Sequence, residues 1–141
     1  MDRRTLPNDI LLGEVTTVLR EGREAVFTPT GTSMLPFIRG GRDRVVLRRL
    51  ESVSVGDIVL VRLGDRYILH RVYAMDGEHL TLMGDGNLQG QEHCTTADVI
   101  GTVAAVIRPD GRERTPSRGR LWRLLRPLRR VILGIYRRLF R

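Results

Sequence analysis

The chain has 141 residues and a formal net charge of +8, and every one of its 24 basic residues is arginine. That length suits one domain with a core of its own, and arginine, protonated under ordinary conditions, cannot serve as a general base. Any base must come from His70, His79, His93 or a carboxylate, and the single cysteine, Cys94, excludes an intrachain disulfide and a multi-cysteine metal site.

In chain order, Pro7 followed by Asn8 or Asp9 reads as the start of a helix over about residues 8–21. Ile10, Leu11, Val15, Val18 and Leu19 recur at helical spacing and mark it as a packing helix. A β-branched run, Ala25–Thr28, leads into Gly31-Thr32-Ser33-Met34-Leu35-Pro36. Glycine accepts unusual backbone angles, and proline fixes its own φ and keeps the residue before it out of the helical region. Such a corner suits a hydroxyl that must point into a cleft, although a serine between glycine and proline is also an ordinary turn residue. Strands are predicted at 44–48, 58–62, 67–73, 79–83 and 99–107, joined by turns at Gly40-Gly41, Val55-Gly56-Asp57, Gly64-Asp65 and Asp76-Gly77. Gly101 marks a bulge in the last of them. Short strands at this spacing predict a mainly β fold, an antiparallel barrel-like or folded sheet, over residues 1–111.

Composition changes at 112. Residues 115–141 hold nine arginines and no acid. Leu121, Leu124, Leu125, Leu128, Ile132, Ile135 and Leu139 fall on one helical face, with Trp122, Tyr136 and Phe140 adding aromatic character. Residues 112–141 therefore read as a basic amphipathic C-terminal tail, interrupted at Pro127. Three readings compete: a helix lying on an anionic membrane surface, a helix docked on its own domain or a partner, and a nucleic-acid contact, with the lipid surface favoured and nucleic acid last. The N-terminus carries no apolar signal segment, and no run reaches the ~18 apolar residues that span a bilayer. The expected location is the cytoplasm, peripheral to the inner membrane face.

A serine hydroxyl needs a neighbouring base to become a nucleophile, and a third group commonly holds that base in place. Ser33, His70 in a strand, and Asp85 in the Gly84-Asp85-Gly86-Asn87 loop supply such a set, with Asp98 as an alternative third member. His79 and His93 read as surface or turn residues. His93 and Cys94 are a poor metal pair, because adjacent side chains in an extended chain diverge. Arg39, Arg42 and Arg44 read as a solvated face.

The blocks Gly31–Pro36, Val55-Gly56-Asp57-Ile58-Val59, Leu69-His70-Arg71-Val72, Met83-Gly84-Asp85-Gly86-Asn87 and Val99-Ile100-Gly101 occur in one order over residues 25–107. That series resembles the S24/S26 serine peptidase superfamily of signal peptidases and LexA-type self-cleaving repressors. His-Arg-Val with a following Gly-Asp-x-Asn looks most like the archaeal and endoplasmic-reticulum signal peptidases, which use histidine where other branches use lysine, and this chain has no lysine. The layout with its basic tail looks like small bacterial members without a membrane anchor. The resemblance implies Ser33 as nucleophile, His70 as general base, Asp85 as its orienting group, and backbone N–H groups around Thr32 and Ser33 as an oxyanion hole. No cofactor and no metal are expected. Gly31 stands where many bacterial signal peptidases carry a hydroxyl residue, as it does in LexA-type proteins.

These expectations describe a serine endopeptidase acting on a peptide or leader substrate near the membrane. The alternative is a binding module on the same fold without turnover, whose arginine-rich tail engages lipid or a partner. A self-processing regulator ranks last, since residues 1–24 hold one helix and no DNA-binding unit.

Overall fold

The computed structural model describes residues 3–6, 13–31, 33–86, 90–116 and 129–139. Strand β1 (Arg3–Thr5) is followed by helix α1 (Gly13–Arg20) and by β2 (Glu24–Phe27), β3 (Arg44–Arg48), β4 (Ile58–Leu63), β5 (Arg66–Asp76), β6 (His79–Met83) and β7 (Glu92–Thr95). A 3-10 turn at Thr96–Asp98, β8 (Val99–Ile107), β9 (Glu113–Arg114) and α2 (Arg129–Leu139) complete the order. The capping expectation at Pro7, Asn8 and Asp9 lies outside the described residues, as does the Pro127 interruption.

One mixed sheet runs β1-β2-β3-β8-β4-β5-β6-β7, with β9 on β8. The fold is mainly β, as expected. β1 pairs parallel with β2, and the other pairs are antiparallel. β1 and β7 stand at the two ends, so the sheet among the described residues stays open rather than closing as a barrel.

β4 shows why the sheet can sit at the centre of the domain. Its run Ile58-Val59-Leu60-Val61 is apolar at every position, and all four side chains are buried. Successive strand residues point to opposite faces. Ile58 and Leu60 enter one core with α1 residues Val15, Val18 and Leu19, and with Met34 and Ile38. Val59 and Val61 enter a second core with Ile68, Val72, Leu80, Leu82 and Cys94. Burial on both faces explains an unbroken apolar run instead of alternation.

The bulge expected near Gly101 is present: register shifts between Leu60 and Val61 opposite Gly101 and Val99. A Cβ at Gly101 would lie 2.7 Å from Leu19 Cδ1 and 2.8 Å from the Arg48 carbonyl oxygen. The glycine therefore lets α1 and β3 approach β8.

The N-terminal edge is tied by charge. Arg3 Nε and Arg48 Nη2 donate to the two oxygens of Glu24 at 3.0 and 2.9 Å, and Arg3 also pairs with Glu113 at 2.5 Å. Burial pushes the Glu24 carboxyl up, but these donors outweigh it and hold the group below its usual range.

Candidate active site

Ser33 sits in the turn that follows β2, and the turn is fixed from several sides. Phe37 and Ile38 N–H groups both donate to the Met34 carbonyl at 3.0 Å. Gly31 adopts φ +86°, a left-handed value suited to glycine. A Cβ at Gly40 would meet the Gly31 carbonyl oxygen at 2.1 Å, so the two ends of the loop touch backbone to backbone. Met34 and Ile38 are buried in the first core. Leu35 and Phe37 point the other way, into a cluster with Leu133, Ile132 and Tyr136 of α2. The C-terminal helix thus docks on the serine corner.

Ser33, half-buried, lines a cleft of about 360 Å³ together with His70. Phe27, Met34, Ile38, Leu60, Tyr67 and Leu69 supply apolar walls. Among the described residues, no hydrogen bond joins the Ser33 hydroxyl to the His70 ring. Such pairs are often longer in an unliganded site than in the reacting complex.

His70 is buried in β5 opposite Val59 of β4. Its Nδ1 makes a short hydrogen bond with Glu92 Oε1. Glu92 opens β7 and pairs with Leu82, which pairs with Val72 on β5, two residues beyond His70. Cross-strand partners and i, i+2 neighbours share a sheet face. This geometry brings Glu92 across β6 to the imidazole. With Nδ1 held by a carboxylate, a neutral ring carries its free lone pair on Nε2.

Asp85, the expected orienting group for His70, is committed elsewhere. Arg71 Nε donates to Asp85 Oδ1 at 2.8 Å, and Arg71 Nη2 donates to Oδ2 at 2.8 Å. Arg71 Nη1 donates to the Gly56 carbonyl at 2.8 Å, and the guanidinium lies 5.1 Å from the centre of the Phe37 ring. Both members of the pair are fully buried. A guanidinium in a dry site needs an anion and hydrogen-bond acceptors, and Asp85 is the anion. Arg71 is adjacent to His70 in β5 but points to the opposite face, so the carboxylate that meets it is away from the imidazole. The Asp85 loop still reaches the serine corner, since the Gly86 N–H donates to the Ser33 carbonyl at 2.7 Å.

The other expected residues are placed as follows. Asp98, the alternative third member, accepts from Thr95 N–H at 2.9 Å and caps the 3-10 turn instead. His79 and His93 are exposed, and Cys94 is buried, with burial pushing its thiol up. Arg42 and Arg44 are exposed and Arg39 is half-buried. Thr32, expected to give an oxyanion N–H, lies outside the described residues. Glu92 was not anticipated: a polar run, Glu92-His93-Cys94-Thr95, hid β7, and only the row Val72–Leu82–Glu92 reveals it.

The Peptidase S24-like family profile matches residues 5–104, a span that contains Ser33, His70, Asp85 and Glu92. A LexA repressor from Thermobifida fusca (strain YX) is 31% identical over 88 residues, covering 62% of this chain and 34% of the repressor. The chain therefore spans about a third of that repressor's length. From the ordered motifs, the mixed sheet and the profile match over most of its length, the chain belongs to the peptidase S24-like family.

Proposed function

We propose that the protein is a serine endopeptidase in which Ser33 is the nucleophile, His70 the general base and Glu92 the group that orients His70. The observation that carries this reading is the Glu92 carboxylate on His70 Nδ1, in a cleft that Ser33 also lines. The carboxylate fixes the tautomer and stabilises the imidazolium as it forms. His70 Nε2 takes the proton from Ser33 Oγ as that oxygen bonds to the scissile carbonyl carbon. The same nitrogen returns the proton to the departing amine as the C–N bond breaks. Water, deprotonated by His70, then releases the acyl group from Ser33. The backbone N–H of Ser33, with that of Thr32, would hold the oxyanion. The apolar walls suit an apolar side chain beside the scissile bond, and the substrate class is a peptide or leader segment.

Incubation with a mixed peptide library, read by mass spectrometry, tests the assignment. Wild type is expected to generate new termini that Ser33→Ala and His70→Ala do not, while circular dichroism shows all three folded. Equal cleavage by Ser33→Ala rules the nucleophile out. The missing hydrogen bond between Ser33 and His70 favours a second reading, a binding module without turnover. That reading requires wild type itself to leave the library intact.

A further inference from the structure

Among the described residues, the apolar contacts of helix α2 with its own domain come from Leu133, Ile132 and Tyr136. Leu133 is 1% exposed against Leu35, and Ile132 and Tyr136 flank it. A second apolar stripe faces away: Val131, Ile135 and Leu139 are 62%, 54% and 72% exposed. Spacing of four places them within roughly 80° of arc on an α-helix. Arg138, exposed, borders this stripe, while Arg137, also exposed, lies on the Leu133 side of the helix. The segment 115–141 contributes nine arginines and no acid. Docking on the domain therefore does not account for the outward apolar residues.

We propose that the outward stripe of α2 seats on an anionic bilayer surface. Charge complementarity selects this occupant. An apolar strip edged by arginine, in a segment without acids, matches hydrocarbon beneath negatively charged headgroups. Among the described residues no helix is long and apolar enough to cross a membrane, so the contact is interfacial. Because the inner stripe holds Leu35 and Phe37, two and four residues beyond Ser33, seating α2 brings the serine corner to the lipid surface. Membrane binding stands on the helix alone and survives if Ser33 proves not to be a nucleophile.

The full chain is incubated with vesicles of phosphatidylcholine alone and of phosphatidylcholine mixed with phosphatidylglycerol, then sedimented. Wild type is expected to partition onto the mixed vesicles and to be released as salt rises. The triple variant V131S/I135S/L139S alters only exposed positions. It should keep its melting curve while its partition coefficient drops at least about tenfold. R138Q should lose about fivefold on the mixed vesicles and nothing on the neutral ones. Equal binding by the triple variant overturns the proposal, as does equal wild-type binding to both vesicle types at low salt. A wild type that ignores vesicles and elutes as a dimer, which the triple variant makes a monomer, assigns the stripe to a second copy and also overturns it.

Discussion

Replacing Asp85 with asparagine separates a structural role for that carboxylate from a catalytic one. Asp85 and Arg71 are both at 0% side-chain exposure and share contacts of 2.8, 3.1 and 2.8 Å. Asparagine keeps the shape but removes the charge that Asp85 sets against the buried guanidinium. Removing one partner of such a pair costs about 3–5 kcal/mol. The neutral carbonyl of Gly56, which also accepts from Arg71, does not replace that charge. In a chain of this size each kcal/mol moves Tm by about 4 °C, so Tm should fall by about 10–20 °C. Glu92→Gln should behave in the opposite way. It weakens one hydrogen bond at a side chain that is 19% exposed. The expected cost is about 0.5–1.5 kcal/mol, or at most about 6 °C. Cleavage, however, should slow at least about a hundredfold as His70 loses its orienting charge. Thermal melts by far-ultraviolet circular dichroism and a peptide-cleavage rate on both variants decide the matter. If Asp85→Asn melts within about 2 °C of wild type but no longer cleaves, the division of labour between the two carboxylates is wrong.

Gly101→Ala should destabilise the protein by about 1–3 kcal/mol, because its Cβ meets the fixed carbonyl of Arg48 as well as Leu19; an unchanged denaturation midpoint would mean that β3 and α1 yield freely. Glu24, whose folded carboxyl lies below its ordinary value of 4.5, stabilises the fold above that value, and the contribution disappears as pH falls through the depressed one. Glu24→Gln should flatten the acid side of the stability–pH curve, and a curve as steep as wild type's would assign acid unfolding to other carboxylates.

Much of the sheet was legible because its strands carry the pattern that strands need. Arg44–Arg48, His79–Met83 and Val99–Ile107 begin and end where turn residues and β-branched runs place them. β1 and β7 escaped because Arg3-Arg4-Thr5 and Glu92-His93-Cys94-Thr95 have little apolar character. Their pairing comes from neighbours rather than from intrinsic preference. The pairing of Asp85 with Arg71 was hidden for a related reason. Reading along the chain, Asp85 is the nearest acid in a glycine loop. Reading across β5, His70 and Arg71 face opposite ways, and a buried arginine in an apolar strand already demands a carboxylate. In the structure Asp85 meets that demand, and His70 pairs with Glu92. The docking of α2 was one of several readings of an amphipathic tail. Only the packing of Leu133 on Leu35 distinguishes which apolar residues turn inward.

The position of β8 bears on how the protein comes into being. β8 is inserted between β3 and β4. Among the described residues, the strands before it divide into two groups, β1–β3 on one side and β4–β7 on the other, and within the sheet only β8 connects them. The serine corner belongs to the first group, and His70 and Glu92 belong to the second. A chain emerging from a ribosome delivers the serine early and the histidine midway. The strand that aligns them arrives only when Ile107 has been made. Long-range pairing of this kind is slow to form and comes late. A growing or truncated polypeptide that stops short of β8 holds all three side chains without the strand that joins their two groups in one sheet. On the proposed mechanism, a polypeptide that ends before Val99 is expected not to cleave peptides.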